Sequence, residues 1–474
     1  MLNFYPQKVF ELFEKISAIP HGSFNTAGIA DFLEGFAKER KLEFYRDNTN
    51  NVVIYKPGSK GKETCEPVIL QGHTDMVCAS EGEYDFISDG ISLDTDGKYV
   101  FAKGTTLGAD NGIAVAMMLS LLGSDSELPP LECVFTSDEE VGMLGAIALD
   151  MSRLKGKRMI NVDSEVEGVF TIGCAGGVSC NISYPVRRHI VSAQCYRLEI
   201  SGLHGGHSGV EINSGYANAI KVAADFIAQT SKEHHLELID ISGGAADNAI
   251  PKYVVCTFTA EGDECTDELR KIADDIINSV KASYNDPEVS CSLTSLGVSE
   301  VSAVILDDSD NIVALIDSLP NGVLEYEPQL ENTVRTSCNI GVIGLDEDKF
   351  TLRISLRSSV NSERDSLASS IESTASLLGA DVESYGGYPA WEPVENSPLC
   401  AKAADVYKAM YGKEPVIEVI HAGLECSIFS DRISDFDCIS IGPNLIGIHT
   451  PEEKMDIDSV GRVYDYICKV LKNI

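Results

Sequence analysis

The chain has 474 residues and carries 37 Lys and Arg against 73 Asp and Glu, a net charge of −36; a field of that sign repels phosphate backbones and anionic lipid, which argues against nucleic-acid and membrane-surface roles. The length suits two or three domains, and 44% apolar with 23% charged residues is the balance of a globular protein. Fourteen cysteines without a C-x-x-C pair, and opening residues with no basic segment followed by an apolar one, predict reduced thiols and a cytoplasmic protein.

In chain order, Val9, Leu12, Phe13 and Ile16 mark one face of a helix that stops before Pro20, and a second amphipathic helix runs from Thr26 to Lys41. Strands are predicted at 51–55, 67–71, 131–136 and 159–162, with a small-residue helix over 112–122; that helix is far short of the ~20 apolar residues a membrane span needs. Strands separated by helices predict crossover units in a largely parallel sheet. From about Pro185 the texture changes, with strands at 195–200, 253–260 and 351–356 and helices at 216–230, 267–283 and 366–378. After Pro389 the first pattern resumes as helix 398–411, strands 415–420 and 437–441, and helix 458–471. The expected organisation is α/β: a doubly wound, mostly parallel catalytic domain in two parts (1–185 and 388–474) with an inserted α+β domain over 186–387.

Chemistry-bearing residues cluster at strand ends. Strand 67–71 runs into Gly72-His73-Thr74-Asp75, strand 131–136 into Ser137-Asp138-Glu139-Glu140, and strand 159–162 into Asp163. Asp110 sits in a glycine-bounded turn ahead of a helix, and His449 lies in the loop after strand 437–441. Each group alone has an ordinary reading: a hydrogen-bonded strand end, a helix cap, an exposed acidic turn. Together they occupy the C-terminal edge of one sheet, where sites in open α/β folds are built. Two histidines with several carboxylates make a mixed N/O set for two divalent metals, zinc favoured and manganese or cobalt as alternatives. A carboxylate bridging ions ~3.5–4 Å apart would hold a shared hydroxide as nucleophile.

Five blocks then resemble those of the aminoacyl-histidine (Xaa-His, beta-alanyl-histidine) dipeptidases, within the wider dizinc aminoacylase, carboxypeptidase and dipeptidase group: 72–77, 108–112, 136–142, 161–165 and 448–453. The resemblance runs the whole chain and includes Gly173-Cys174-Ala175-Gly176-Gly177 and His421-Ala422-Gly423-Leu424-Glu425-Cys426. It implies that Asp110 bridges two zinc ions, that His73 and Asp163 complete one and that Glu140 and His449 complete the other. It further implies Glu139 as general base and Asp75 as the partner that orients His73. The inserted domain becomes a lid and the basis of a homodimer, with His207 stabilising the oxyanion, often from the partner subunit in related enzymes. Asn248, Arg357 and Gly423 are implied substrate contacts, with Arg335 competing with Arg357 for the carboxylate. At Cys78-Ala79-Ser80 the chain departs from the family, which usually carries a lysine by the third of these positions.

The expected activity is zinc-dependent hydrolysis of unblocked dipeptides, including Xaa-His and carnosine-like substrates. The alternatives are an N-acyl-amino-acid amidohydrolase or tripeptidase on the same core, and a non-catalytic metal-binding homologue. Gly206-His207-Ser208-Gly209 lacks the G-x-S-x-G spacing of a serine nucleophile, and no phosphate-binding loop is present.

Overall fold

Buried apolar side chains gather into two large clusters, and each belongs to its own compact unit. The computed structural model describes residues 2–261, 265–328 and 332–474. Unit 1 comprises Met1–Cys174, Trp391–Val419 and Leu424–Ile474, and unit 2 comprises Ala175–Ala390 with Ile420–Gly423. The units thus divide earlier than residue 185 and later than residue 387. The reason is pairing: strand Gly176–Pro185 lies between strands Lys349–Ser358 and Asp381–Tyr388, in the sheet of unit 2.

Unit 1 is built on an eight-stranded sheet that is parallel at its centre. Strands Leu131–Thr136, Val68–His73, Arg158–Asn161 and Asp437–Ser440 lie side by side in parallel. Glu43–Arg46 and Val52–Lys56 extend one flank antiparallel, and Val169–Cys174 the other. Every residue of Val68–His73 and Leu131–Thr136 is buried, as expected of parallel strands covered on both faces. Helix Ala109–Leu122 is buried on all sides from Ile113 to Leu122, which its small and apolar composition permits. Helix Pro398–Tyr411 starts where its sequence says it should: Ser397 Oγ accepts from Cys400 N, Pro398 takes the first turn, and Gly412 ends it at φ 72°. A four-stranded sheet of Leu93–Thr95, Tyr99–Ala102, Lys454–Asp456 and Leu445–Ile446 completes the unit and carries the His449 loop.

Unit 2 holds a nine-stranded antiparallel sheet made of two copies of one pattern. The first copy runs strand Arg188–Ser201, helix Ala219–Glu233, strands Leu236–Gly243 and Val254–Ala260, helix Cys265–Ser283 and strand Ser290–Val304. The second runs strand Gly176–Pro185, helix Leu306–Ser318, strands Val334–Leu345 and Lys349–Ser358, helix Asn361–Leu377 and strand Asp381–Tyr388. In both copies the sheet order is fourth, first, third, second. The second strands of the copies meet antiparallel at Ser242–Gly344 and Gly243–Ile343, so one continuous sheet results. Gly322–Tyr326 pairs with Val334–Leu345 as the ninth strand. Among the described residues no helix is long and apolar enough to cross a membrane.

Candidate active site

Three parallel strands deliver their last residues to one place in unit 1. Val68–His73 ends on His73, Asp163 follows Arg158–Asn161 by two residues, and the turn after Leu131–Thr136 carries Glu139 and Glu140. Asp110 enters from the start of helix Ala109–Leu122, where its backbone is still extended at φ −82°, ψ 104°. Gly108 makes that turn possible: it sits at φ 70°, and a Cβ there would lie 2.7 Å from Met76 Sδ.

The side chains form two groups sharing one member. His73 Nε2 lies 3.1 Å from Asp110 Oδ1 and 3.3 Å from Asp163 Oδ1. His449 Nε2 lies 3.0 Å from Asp110 Oδ2 and 3.1 Å from Glu140 Oε1. Ligand atoms of His73, Asp110 and Asp163 fall within 4.8 Å of one another, as do those of Asp110, Glu140 and His449. Glu139 joins a third such group with His73 and Glu140.

This donor set fits divalent cations. Glu140 Oε1 and Asp163 Oδ1 are buried oxygens whose histidine approaches, at 3.1 and 3.3 Å, are each shared with Asp110, and a cation would supply the charge this carboxylate cluster lacks. The potential is strongly negative: hydrogen bonds to Asp110 and Glu140 push His449 up to about 10. Burial works against ionisation of Asp110, yet His449 and His73 hold it below the usual carboxylate range. Burial raises Asp163 to about 6, and it raises Glu139 well above an ordinary glutamate, with Asp163, Glu425 and Glu140 adding to the effect and His73 opposing it.

Asp75 makes contacts beyond the orientation of His73 that the family resemblance implies. His73 Nδ1 lies 3.0 Å from the Asp75 carbonyl oxygen and 3.6 Å from Oδ1 of its carboxylate. That carboxylate accepts from Glu139 N at 2.9 Å, from Glu140 N at 3.3 Å and from Ser23 Oγ at 2.8 Å. Asp75 therefore braces the backbone of the Glu139–Glu140 turn as well as the imidazole.

Unit 2 brings its four expected substrate residues into one neighbourhood. His207 pairs with Ala249 in a short ladder, Ser208 N donates to the Asn248 carbonyl at 2.9 Å, and both His207 and Asn248 line a cavity of about 760 Å³. His207 Nδ1 accepts from Gly209 N at 3.2 Å and Val210 N at 3.3 Å, leaving the proton of a neutral imidazole on Nε2. A Cβ at Gly209 would lie 2.7 Å from the His421 carbonyl oxygen. His421 Nε2 is 2.7 Å from Ser337 Oγ, and Ser337 pairs across the sheet with Arg357. Arg357 NH1 donates to Tyr388 Oη at 2.8 Å, and a Cβ at Gly423 would lie 2.8 Å from the Tyr388 ring. Arg357 is 8% exposed, its Nε has no hydrogen bond, and among the described residues no carboxylate pairs with it. The competing Arg335 is held by Glu363 through Nε at 2.9 Å and a second bond from NH2.

Several contributors were not picked out from the sequence. Asn339 Nδ2 donates to the carbonyls of Asp247 and Ala249, both at 2.8 Å, and so fixes the Asn248 turn. Ser337, His421 and Tyr388 surround Arg357 from distant segments. Below the layer of candidate ligands, buried Glu425 accepts from Thr136 Oγ1 at 2.6 Å and from Gln71 Nε2, while Gln71 Oε1 accepts from Asn161 at 2.6 Å. The one available signal was spacing, since Gln71 and Asn161 each stand two residues before a candidate ligand.

The family model described as Peptidase family M20/M25/M40 matches residues 69–473. The cytosol non-specific dipeptidase of Escherichia coli (strain K12) is 36% identical over 475 residues, covering 99% of this chain and 98% of that protein. The crystal structure of aminoacylhistidine dipeptidase from Vibrio alginolyticus superposes with a TM-score of 0.90 at 36% identity, over 99% of this chain and 97% of that one. The aminopeptidase PepT structure from Bacillus cereus shares the fold, with a TM-score of 0.58 at 15% identity over 99% of each chain.

Proposed function

The chain belongs to peptidase family M20/M25/M40, and from that premise we propose that it is a cytoplasmic metallopeptidase that hydrolyses unblocked dipeptides, Xaa-His and carnosine-like ones among them. The observation that carries the reading is Asp110, shared between a His73–Asp163 group and a Glu140–His449 group, with Glu139 alongside. Two divalent ions, zinc favoured with manganese or cobalt as alternatives, would be held by these residues; when bound, such a pair polarises the scissile carbonyl and makes water acidic enough to react near neutral pH.

The chain's own residues do the rest. Glu139 accepts the proton of the attacking water and returns it to the leaving amine, a task suited to a carboxyl that burial has made more basic. Asp75 holds the Glu139 and Glu140 amides, so the base and its neighbouring ligand stay in register. His207 offers Nε2–H to the developing oxyanion. Arg357, buried and without an acidic partner among the described residues, is the group for the substrate carboxylate, with Asn248 and the Gly423 amide assisting.

The test is amino-acid release from β-alanyl-histidine, an ordinary dipeptide, an N-acetylated amino acid and a tripeptide, each with zinc and after chelation. Cleavage of the two free dipeptides that stops on chelation is expected. Activity confined to the acetylated compound or the tripeptide would overturn the dipeptidase reading while leaving the metal chemistry intact.

A further inference from the structure

Asp110 is gripped twice by one short segment. His449 reaches its carboxylate at 3.0 Å, and four residues later Glu453 reaches its backbone. Glu453 is 2% exposed, and its two oxygens accept from four consecutive amides: Oε2 from Leu107 N at 2.7 Å and Gly108 N at 3.0 Å, Oε1 from Ala109 N at 2.9 Å and Asp110 N at 3.3 Å. Consecutive amides converging on one acceptor form an anion-holding concavity, and here the anion is part of the chain. Only a carboxylate presents acceptors on both oxygens; an amide of the same shape would turn an NH2 toward two of these donors.

Glu453 is itself anchored. Its own N–H donates to the Thr450 carbonyl at 3.1 Å, and the strand that follows, Lys454–Asp456, pairs with Tyr99–Ala102. The segment that ends in Leu107 begins from that same pairing. The Asp110 turn, which carries an extended backbone at the mouth of a helix, thus has its amides fixed from outside rather than by helical hydrogen bonding.

We propose that Glu453 is a positioning residue for Asp110: by capturing the amides of residues 107–110 it sets where the shared carboxylate stands, and so sets affinity for the metal pair and the rate of the hydrolytic step without touching substrate. The inference rests on the reading of Asp110 as the carboxylate shared by two ions.

The experiment titrates cobalt into metal-free wild type, Glu453→Gln and Glu453→Asp, following visible absorption and, separately, the circular dichroism melt of each metal-free protein. Asp110→Asn in parallel identifies the cobalt signal that depends on the shared carboxylate. For Glu453→Gln, affinity is expected to weaken by about tenfold or more with an altered cobalt spectrum, in line with the loss of groups that orient ligands. Its metal-free melt should fall, because two buried amides lose their acceptor, but the affinity loss should exceed what that destabilisation accounts for, kcat should fall and KM should hold; Glu453→Asp, which keeps the charge, should recover part of the affinity. Wild-type cobalt affinity and spectrum in Glu453→Gln would overturn the proposal, as would affinity losses that merely track losses in the metal-free melt. A wild-type cobalt signal untouched by Asp110→Asn would instead overturn the reading beneath it, and this inference with it.

Discussion

His421 shows how far a side chain's surroundings can move its chemistry. Burial and the nearby Arg357 guanidinium lower it from 6.5 to about 3, with Ser337 Oγ on its Nε2. An unfolded chain takes up this proton near pH 6.5, whereas the folded one resists until about pH 3. Its contribution to stability is therefore complete above pH 6.5 and is lost as pH falls through that window, by about 2 kcal/mol at pH 5. Urea unfolding of wild type and His421→Gln at pH 7.5 and pH 5 should show the larger acid loss in wild type; equal losses would contradict the assignment. His73, Asp110, Glu140 and Asp163 stand out in the sequence as candidate ligands because they follow predicted strands or precede a predicted helix, whereas His449 lies in a loop and only the family resemblance implies its role. The sequence could not disclose Ser337, Tyr388 or Glu425, whose partners lie 84, 31 and 289 positions away and meet only through the fold.

At the scale of elements, three strands that end in the candidate ligands are tied together one layer below them. Asn161, Gln71 and Thr136 come from three neighbouring parallel strands, and Glu425, at the start of helix Cys426–Arg432, closes the chain of hydrogen bonds. Replacing Glu425 by Leu leaves Gln71 Nε2 and Thr136 Oγ1 without their carboxylate acceptor in a dry interior, at a cost of about 1–3 kcal/mol for each donor left unpaired. Glu425→Gln keeps an acceptor and should cost much less, so denaturant midpoints of the two variants separate a polar tie from simple packing; equal midpoints would count against it. Elements with strong local signals were legible: strand Leu131–Thr136 and helix Pro398–Tyr411 fall where their sequences place them. Strand Ser290–Val304 was not, because much of it is exposed and its serine-rich run lacks a clean apolar alternation. Helix Leu306–Ser318 was missed too, although the Asp307 and Asp308 of its first turn are an ordinary helix-start signal.

For the molecule as a whole, the duplicated pattern of unit 2 matters most. Its two copies meet along their second strands within one chain, and that single chain gathers His207, Asn248, Arg357 and Gly423. These four residues lie within unit 2, and the family resemblance implies that this unit also carries a homodimer, with His207 often acting from the partner subunit. Specific activity should accordingly fall as dilution drives any dimer dissociation seen by mass photometry, and activity that stays constant through dissociation would show that one chain completes the site. The repeat was invisible in sequence because the second copy is split, with its first strand preceding the whole of the first copy.

If this chain hydrolyses peptide bonds with Glu139 as proton carrier beside a metal pair held on Asp110, losing the Glu139 carboxylate must separate metal binding from turnover. The most direct test is Glu139→Gln, assayed for bound metal and for dipeptide turnover in the same preparation. Metal content should stay at the wild-type level while kcat falls by about a hundredfold or more. Turnover within a few-fold of wild type, with metal still bound, would contradict that role for Glu139.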